Sequence, residues 1–117
     1  FLRDSSLYDM EVTADDTKLY GDYTDTTRVV CRVTDRVSTT LVYFPGIIQV
    51  ETKGPVQVIG PTAIPVRGGY AAFWIKTNPQ DFSGDTETAK LHIRLADTPV
   101  ERKCVKIDVV KSDIVVG

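Results

Sequence analysis

Apolar and polar side chains alternate along much of this chain with a period of two. In TRVVCRVT, residues 27–34, Val29, Cys31 and Val33 fall on one side, and Arg28, Val30 and Arg32 on the other. TAKLHIRLA, residues 88–96, sets Ala89, Leu91, Ile93 and Leu95 against Lys90, His92 and Arg94. CVKIDVV, residues 104–110, places Val105, Ile107 and Val109 inward against Lys106 and Asp108, and YAAFWIKT, residues 70–77, gathers Ala71, Phe73 and Ile75. Successive side chains of a strand point to opposite faces, so this pattern predicts strands with one face buried and one wet. Weaker strands are expected around 8–14, at 46–53 with Ile48 and Val50 paired on one face, and near 56–60. No segment carries an amphipathic helical stripe.

Between these runs stand turn formers: Asp22 to Asp25, Pro45-Gly46, Gly54-Pro55, Gly68-Gly69, Asn78-Pro79, and Asp97 to Pro99. About seven short antiparallel strands separated in this way predict an all-β, immunoglobulin-like sandwich. A single sheet would leave its apolar row in water, and a second sheet covers it. The stretch GPVQVIGPTAIPVRGG, residues 54–69, reads as scaffold that turns corners. Gly54-Pro55 ends one strand, a short strand follows, Ile64 and Val66 pack along the sandwich edge, and Gly68-Gly69 leads into the strand at Tyr70. A phosphate-gripping loop would need a following helix or a Gly-Lys-Ser/Thr ending, and neither is there. The expected organisation is one domain over 8–110, with a leader at 1–7 and a tail at 111–117.

Composition narrows the function classes. A chain of 117 residues with 42% hydrophobic and 26% charged residues suits one folded domain. The net charge of -2, with no basic cluster beyond Arg102-Lys103 and Lys106, argues against a nucleic-acid partner. No apolar run is long enough for a membrane-spanning helix. The two cysteines, Cys31 and Cys104, differ in phase: Cys31 shares its strand's inward row, whereas Cys104 is out of step with Val105 and Ile107. An inter-sheet disulfide is therefore not expected, and both are read as buried free thiols that pack as small hydrophobes.

Candidate chemistry is sparse. His92, the lone histidine, lies on an outward strand face between Lys90 and Arg94, with no nucleophile motif to serve. Asp15, Asp16, Asp22, Asp25 and Asp35 crowd the first third, but no calcium loop follows them, and turn chemistry is the expected role. Facing carboxylates could cleave a glycosidic bond only across a cleft, which a small sandwich does not announce. No catalytic, metal or cofactor site is assigned. Trp74 falls opposite Phe73 and Ile75 in phase. Three readings of it stand: packing under the 54–69 segment, a domain interface, or stacking on a sugar ring.

The run EVTADDTKLYGDYTDTTRVVCRVTD, residues 11–35, resembles the start of immunoglobulin-like modules in glycoside hydrolase family 2, the β-galactosidase family. Ala14-Asp15, Leu19, Gly21-Asp22, Asp25, Thr27, Val29, Val33 and Asp35 carry the likeness. The segment from Ile47 to Thr77 is similar to the same modules at Gly54-Pro55, Ile59-Gly60 and Gly68-Gly69. The chain departs from the pattern after Asp35, where Arg36-Val37-Ser38-Thr39-Thr40 follows. The first half also resembles immunoglobulin-like repeats of bacterial adhesins.

In that family the catalytic carboxylates sit on a TIM barrel, which takes about 250 residues. None can be carried over to this chain. The resemblance implies a non-catalytic accessory module of a bacterial glycosidase with a periplasmic or extracellular parent. Its partners would be the catalytic and neighbouring domains of the same polypeptide, with Trp74 or Tyr70 as anchors. An adhesin repeat and a carbohydrate-binding module are the alternatives.

Overall fold

The computed structural model describes residues 9–35, 37, 39–43, 45–98 and 100–111. Nine strands follow one another: β1 (Asp9–Ala14), β2 (Lys18–Tyr20), β3 (Thr26–Thr34), β4 (Ile47–Lys53), β5 (Val56–Ile59), β6 (Ala63–Pro65), β7 (Tyr70–Thr77), β8 (Thr86–Leu95) and β9 (Lys103–Val110). They form two sheets, ordered β1-β3-β7-β5 and β2-β9-β8-β4-β6. This is the immunoglobulin arrangement, with strands A, B, E and D on one sheet and C, F and G on the other.

The chain changes sheets between β1 and β2. The Asp15 amide donates to the Arg28 carbonyl (2.9 Å), and the Asp16 amide to the hydroxyl of buried Thr27 (2.9 Å). These two bonds satisfy the backbone while it leaves one ladder. It then joins the other, where β2 runs parallel to β9 with Leu19 opposite Val109.

The alternation places the core where the sequence puts it. Val29, Cys31, Val33, Ala71, Phe73 and Ile75 line the inner face of the four-stranded sheet. Ile48, Val50, Ala89, Leu91, Ile93, Leu95, Ile107 and Val109 line the other. Each fully buried Leu, Ile or Val contributes about 1.5–3 kcal/mol of transfer free energy, so these two rows are what holds the sheets face to face.

Three details differ from the expectation. Two three-residue strands, β2 and β6, extend the five-stranded sheet at its edges, and β2 pairs in parallel. Such strands are too short to display a period and exist through their partners. Cys104 is exposed on the outer face of β9, and only Cys31 is the buried thiol. Strand parity outweighed the tendency of cysteine to bury. The leader at 1–7 and all of the tail but Lys111 lie outside the described residues, as do Arg36 and Ser38.

Residues 54–69 form β5, β6 and the turns around them. The last turn is tight: the amides of Arg67 and Tyr70 exchange bonds with each other's carbonyls at 2.8 and 3.0 Å, and Gly68 and Gly69 take φ of 61° and 83°. Two consecutive positive φ angles in a two-residue hairpin are the type I′ geometry, which favours glycine.

Candidate functional site

The outer face of the four-stranded sheet carries an exposed apolar stripe. Trp74 and Tyr70 both project from β7 on this side, with 49% and 47% of their surface exposed. The β-ladder sets Trp74 between Ile59 of β5, itself 47% exposed, and Arg28 of β3. Ala72 and Val30, opposite each other, fill the space between Trp74 and Tyr70. Opposite Tyr70 stands Arg32. The result is a surface with two aromatic side chains four residues apart on one strand, about 13 Å at the usual strand rise, each with an arginine opposite it.

That frame is braced. Arg32 Nε and Nη2 donate to Glu11 Oε2 at 3.0 and 2.6 Å, and Nη1 donates to Thr40 Oγ1 at 2.8 Å. The bond to Glu11 raises the Arg32 guanidinium above its ordinary range, and Tyr70 acts in the same direction. Arg28 pairs with Asp15 at 3.3 Å. Bonded arginines lose their freedom before any partner arrives, which lowers the entropic cost of docking on this face.

Beyond Trp74, a shallow depression of about 340 Å³ opens at the end of β7, lined by Thr24, Gln57, Lys76, Asn78, Pro79 and Asp81 among others. Gln57 and Lys76 stand opposite each other one step from the Ile59–Trp74 pair. Asn78 Nδ2 donates to Gln57 Oε1 at 3.1 Å. The lining is polar. It offers hydrogen-bond donors and acceptors and lacks a nucleophile paired with a base.

The other residues singled out from the sequence fall elsewhere. His92 lies on the opposite sheet, partly buried on its outer face. The aspartates are spread over loops. Asp25 Oδ1 and Oδ2 accept from the amides of Thr26 (2.9 Å) and Tyr20 (3.1 Å). Asp35 Oδ1 accepts from the amides of Val37 and Thr39, both at 2.9 Å. Both carboxylates serve turns. Among the described residues, no three His, Cys, Asp or Glu side chains converge as metal ligands. Ile59 is the member of the stripe that the sequence does not reveal, because its place beside Trp74 depends on the β5–β7 register.

No protein-family profile matches the chain. Over 67 residues it is 31% identical to a β-galactosidase of Rhizobium radiobacter, a match covering 57% of this chain and 49% of that protein. The match thus spans about half the length of the curated relative. A glycosyl hydrolase family 2 member from Bacteroides cellulosilyticus superposes over 89% of this chain with a TM-score of 0.70 at 9% identity, yet only 14% of that protein is covered. A FixG-related protein from Vibrio parahaemolyticus superposes over 91% of this chain and 97% of its own, with a TM-score of 0.58 at 15% identity. At these identities the structural likeness is one of fold. The likeness in residue order is thus to a β-galactosidase over 67 residues, and the likeness in chain path is to the hydrolase and to the FixG-related protein alike.

Proposed function

We propose that this chain is a non-catalytic accessory module of a bacterial family 2 glycosidase, packed against the catalytic domain and spacing it from neighbouring modules. The observation that carries this reading is the braced aromatic stripe of Trp74, Tyr70 and Ile59 on one outer face. Singly scattered apolar residues need no explanation, whereas contiguous ones rimmed by fixed arginines suit a protein partner. The small share of the Bacteroides hydrolase that the sandwich covers supports a role within a larger polypeptide. The β-galactosidase match supports a glycosidase parent over an adhesin repeat. A contact of roughly 600–1,500 Å² between domains is the size such a face can supply.

The test is Trp74→Glu with Tyr70→Glu in the intact parent enzyme and in the chain alone. The charges should split the parent's unfolding into two transitions while only modestly lowering the melting of the chain alone. A parent that still melts in one unshifted transition would sink the reading.

A second reading has a specific observation behind it: the polar depression at Gln57, Lys76 and Asn78 adjoins the Trp74 indole. A ring to stack on beside amide hydrogen-bonding groups is what a sugar requires. Titrating galacto-oligosaccharides while following Trp74 fluorescence distinguishes the two. A saturable change favours carbohydrate binding, and a flat response across sugars removes it.

A further inference from the structure

The outer face of the five-stranded sheet lies away from the aromatic stripe, and a row of like charges crosses it. Lys53 of β4 stands directly opposite Lys90 of β8, and Lys90 directly opposite Lys106 of β9. All three residues are exposed. Among the described residues, no carboxylate pairs with any of them. Directly opposed side chains on neighbouring strands have Cβ atoms about 4.5–5.5 Å apart, and like charges so placed destabilise a sheet. The row is also held in place. The backbone of Gly54, next to Lys53, packs on Ala89, next to Lys90, where a Cβ would lie 3.0 Å from the Ala89 Cα.

The charges around the row give it a direction. Arg94 adds a cation on the same face, with Nη2 donating to Gln49 Oε1. The carboxylates of this face are Glu51, two residues before Lys53, and Asp108, two residues after Lys106 and opposite Lys18 of β2. Because β4 and β9 both run antiparallel to β8, these two acids sit on opposite sides of the row, one at each end. A planar anionic surface would press on both carboxylates. A single anionic chain laid along the row passes between them. The chain as a whole carries a net charge of -2, so the row is a local reversal of sign.

We propose that Lys53, Lys90 and Lys106 form a binding row for a linear acidic polysaccharide, a chain with one carboxylate on every sugar, lying across the strands. Such a chain presents an anion once per pyranose ring, close to the interval between neighbouring strands, about 4.7–4.9 Å. An extended acidic peptide fits worse, because carboxylates on one face of a strand recur at roughly 7 Å. Each ammonium gains a charge-assisted hydrogen bond, and the repulsion along the row is relieved. The row binds and performs no chemistry. It lies on the sheet opposite Trp74 and Tyr70, so a polysaccharide can be held here while the aromatic stripe is docked.

The test is calorimetric titration of the folded chain with an oligogalacturonate long enough to cross three strands. Poly-L-glutamate and phosphatidylglycerol vesicles are the rival polyanions. The oligogalacturonate should bind best, and its affinity should fall about tenfold between roughly 50 and 200 mM salt, as three cations meeting a linear polyanion require. Lys53→Gln, Lys90→Gln and Lys106→Gln together should remove most of the affinity and flatten the salt dependence. The same variant should melt no lower than the unsubstituted chain, because the repulsion is gone, which separates lost binding from unfolding. Arg67→Gln, Arg102→Gln and Lys111→Gln make an equal change in net charge off the row and should leave the affinity within about twofold. No binding of the oligogalacturonate, binding of polyglutamate or vesicles as tight as its own, its displacement by a neutral galactan, or an unchanged affinity in the triple lysine variant would each overturn the proposal.

Discussion

Thr77 and Asp25 clasp each other through main chain and side chain at once. The Asp25 amide donates to Thr77 Oγ1 at 2.8 Å, and the Thr77 amide donates to the Asp25 carbonyl at 2.9 Å. The same hydroxyl donates to the Tyr23 carbonyl at 2.9 Å. Thr77 is buried, so nothing else stands ready to replace these bonds. They pin the 21–25 loop, whose Tyr23 stacks on Tyr20 of β2, to the end of β7. Thr77→Val keeps the shape but strands an amide and a carbonyl, and it should cost about 1–3 kcal/mol. Urea unfolding measures this, and Thr77→Ser should recover most of the loss.

Phe73 and Trp74 are neighbours in sequence on opposite faces of one strand. Phe73 is buried between the sheets, and Phe73→Ala should destabilise by about 3–5 kcal/mol. Trp74 faces outward with half its surface covered, and Trp74→Ala in the chain alone should cost less, about 1–2 kcal/mol, from the lost cross-strand contacts with Ile59 and Arg28. Thermal melts of the two variants side by side check the parity directly.

Gly68 and Gly69 share a turn but not an environment. A Cβ on Gly69 would lie 2.5 Å from Thr40 Cγ2 and 3.1 Å from the Leu41 carbonyl oxygen, at φ +83°. Gly68, at φ +61°, has open space around it. Gly68→Ala should therefore cost only the backbone penalty of about 1–2 kcal/mol. Gly69→Ala should cost more, since about 1–3 kcal/mol of overpacking is added. Equal midpoints in denaturant would contradict the packing seen at Thr40.

Burial pushes the Cys31 thiol up to about 12 from 9.0. Its contribution to stability is complete below pH 9, where the unfolded chain also keeps the proton. Above that the unfolded thiol ionises and the folded one does not. Stability should then fall by about 1.4 kcal/mol per pH unit, until the folded thiol itself titrates near pH 12. Subtracting the pH profile of Cys31→Ala removes the lysine and tyrosine background. A difference profile that stays flat above pH 9 would show that the thiol reaches solvent.

Much of the architecture was legible because the inward rows of β3, β7, β8 and β9 are long enough to repeat. Val29, Cys31 and Val33, or Ala89 to Leu95, can sit on one face only as strand. β2 and β6 were not legible, since three residues show little more than one period and their partners come from elsewhere in the chain. Phase already set Cys104 apart from Val105 and Ile107, but the habit of cysteine to bury argued the other way. For the candidate face, parity put Trp74 outward. The company of Ile59, Arg28 and the Gln57–Lys76 pair depends on ladder register, which no local pattern encodes.

The parallel pairing of β2 with β9 joins opposite ends of the described chain, with Lys18 against Asp108 and Tyr20 against Val110. During synthesis, β2 waits without a ladder until almost the whole module has left the ribosome. Loop closure over that span is the entropic toll of the topology, and it places the sandwich among the slower-folding domains. Once the seam closes, a tug on the C-terminal strand β9 is met by ladders on both of its sides, β8 and β2. In the accessory role proposed above, that arrangement would supply stiffness.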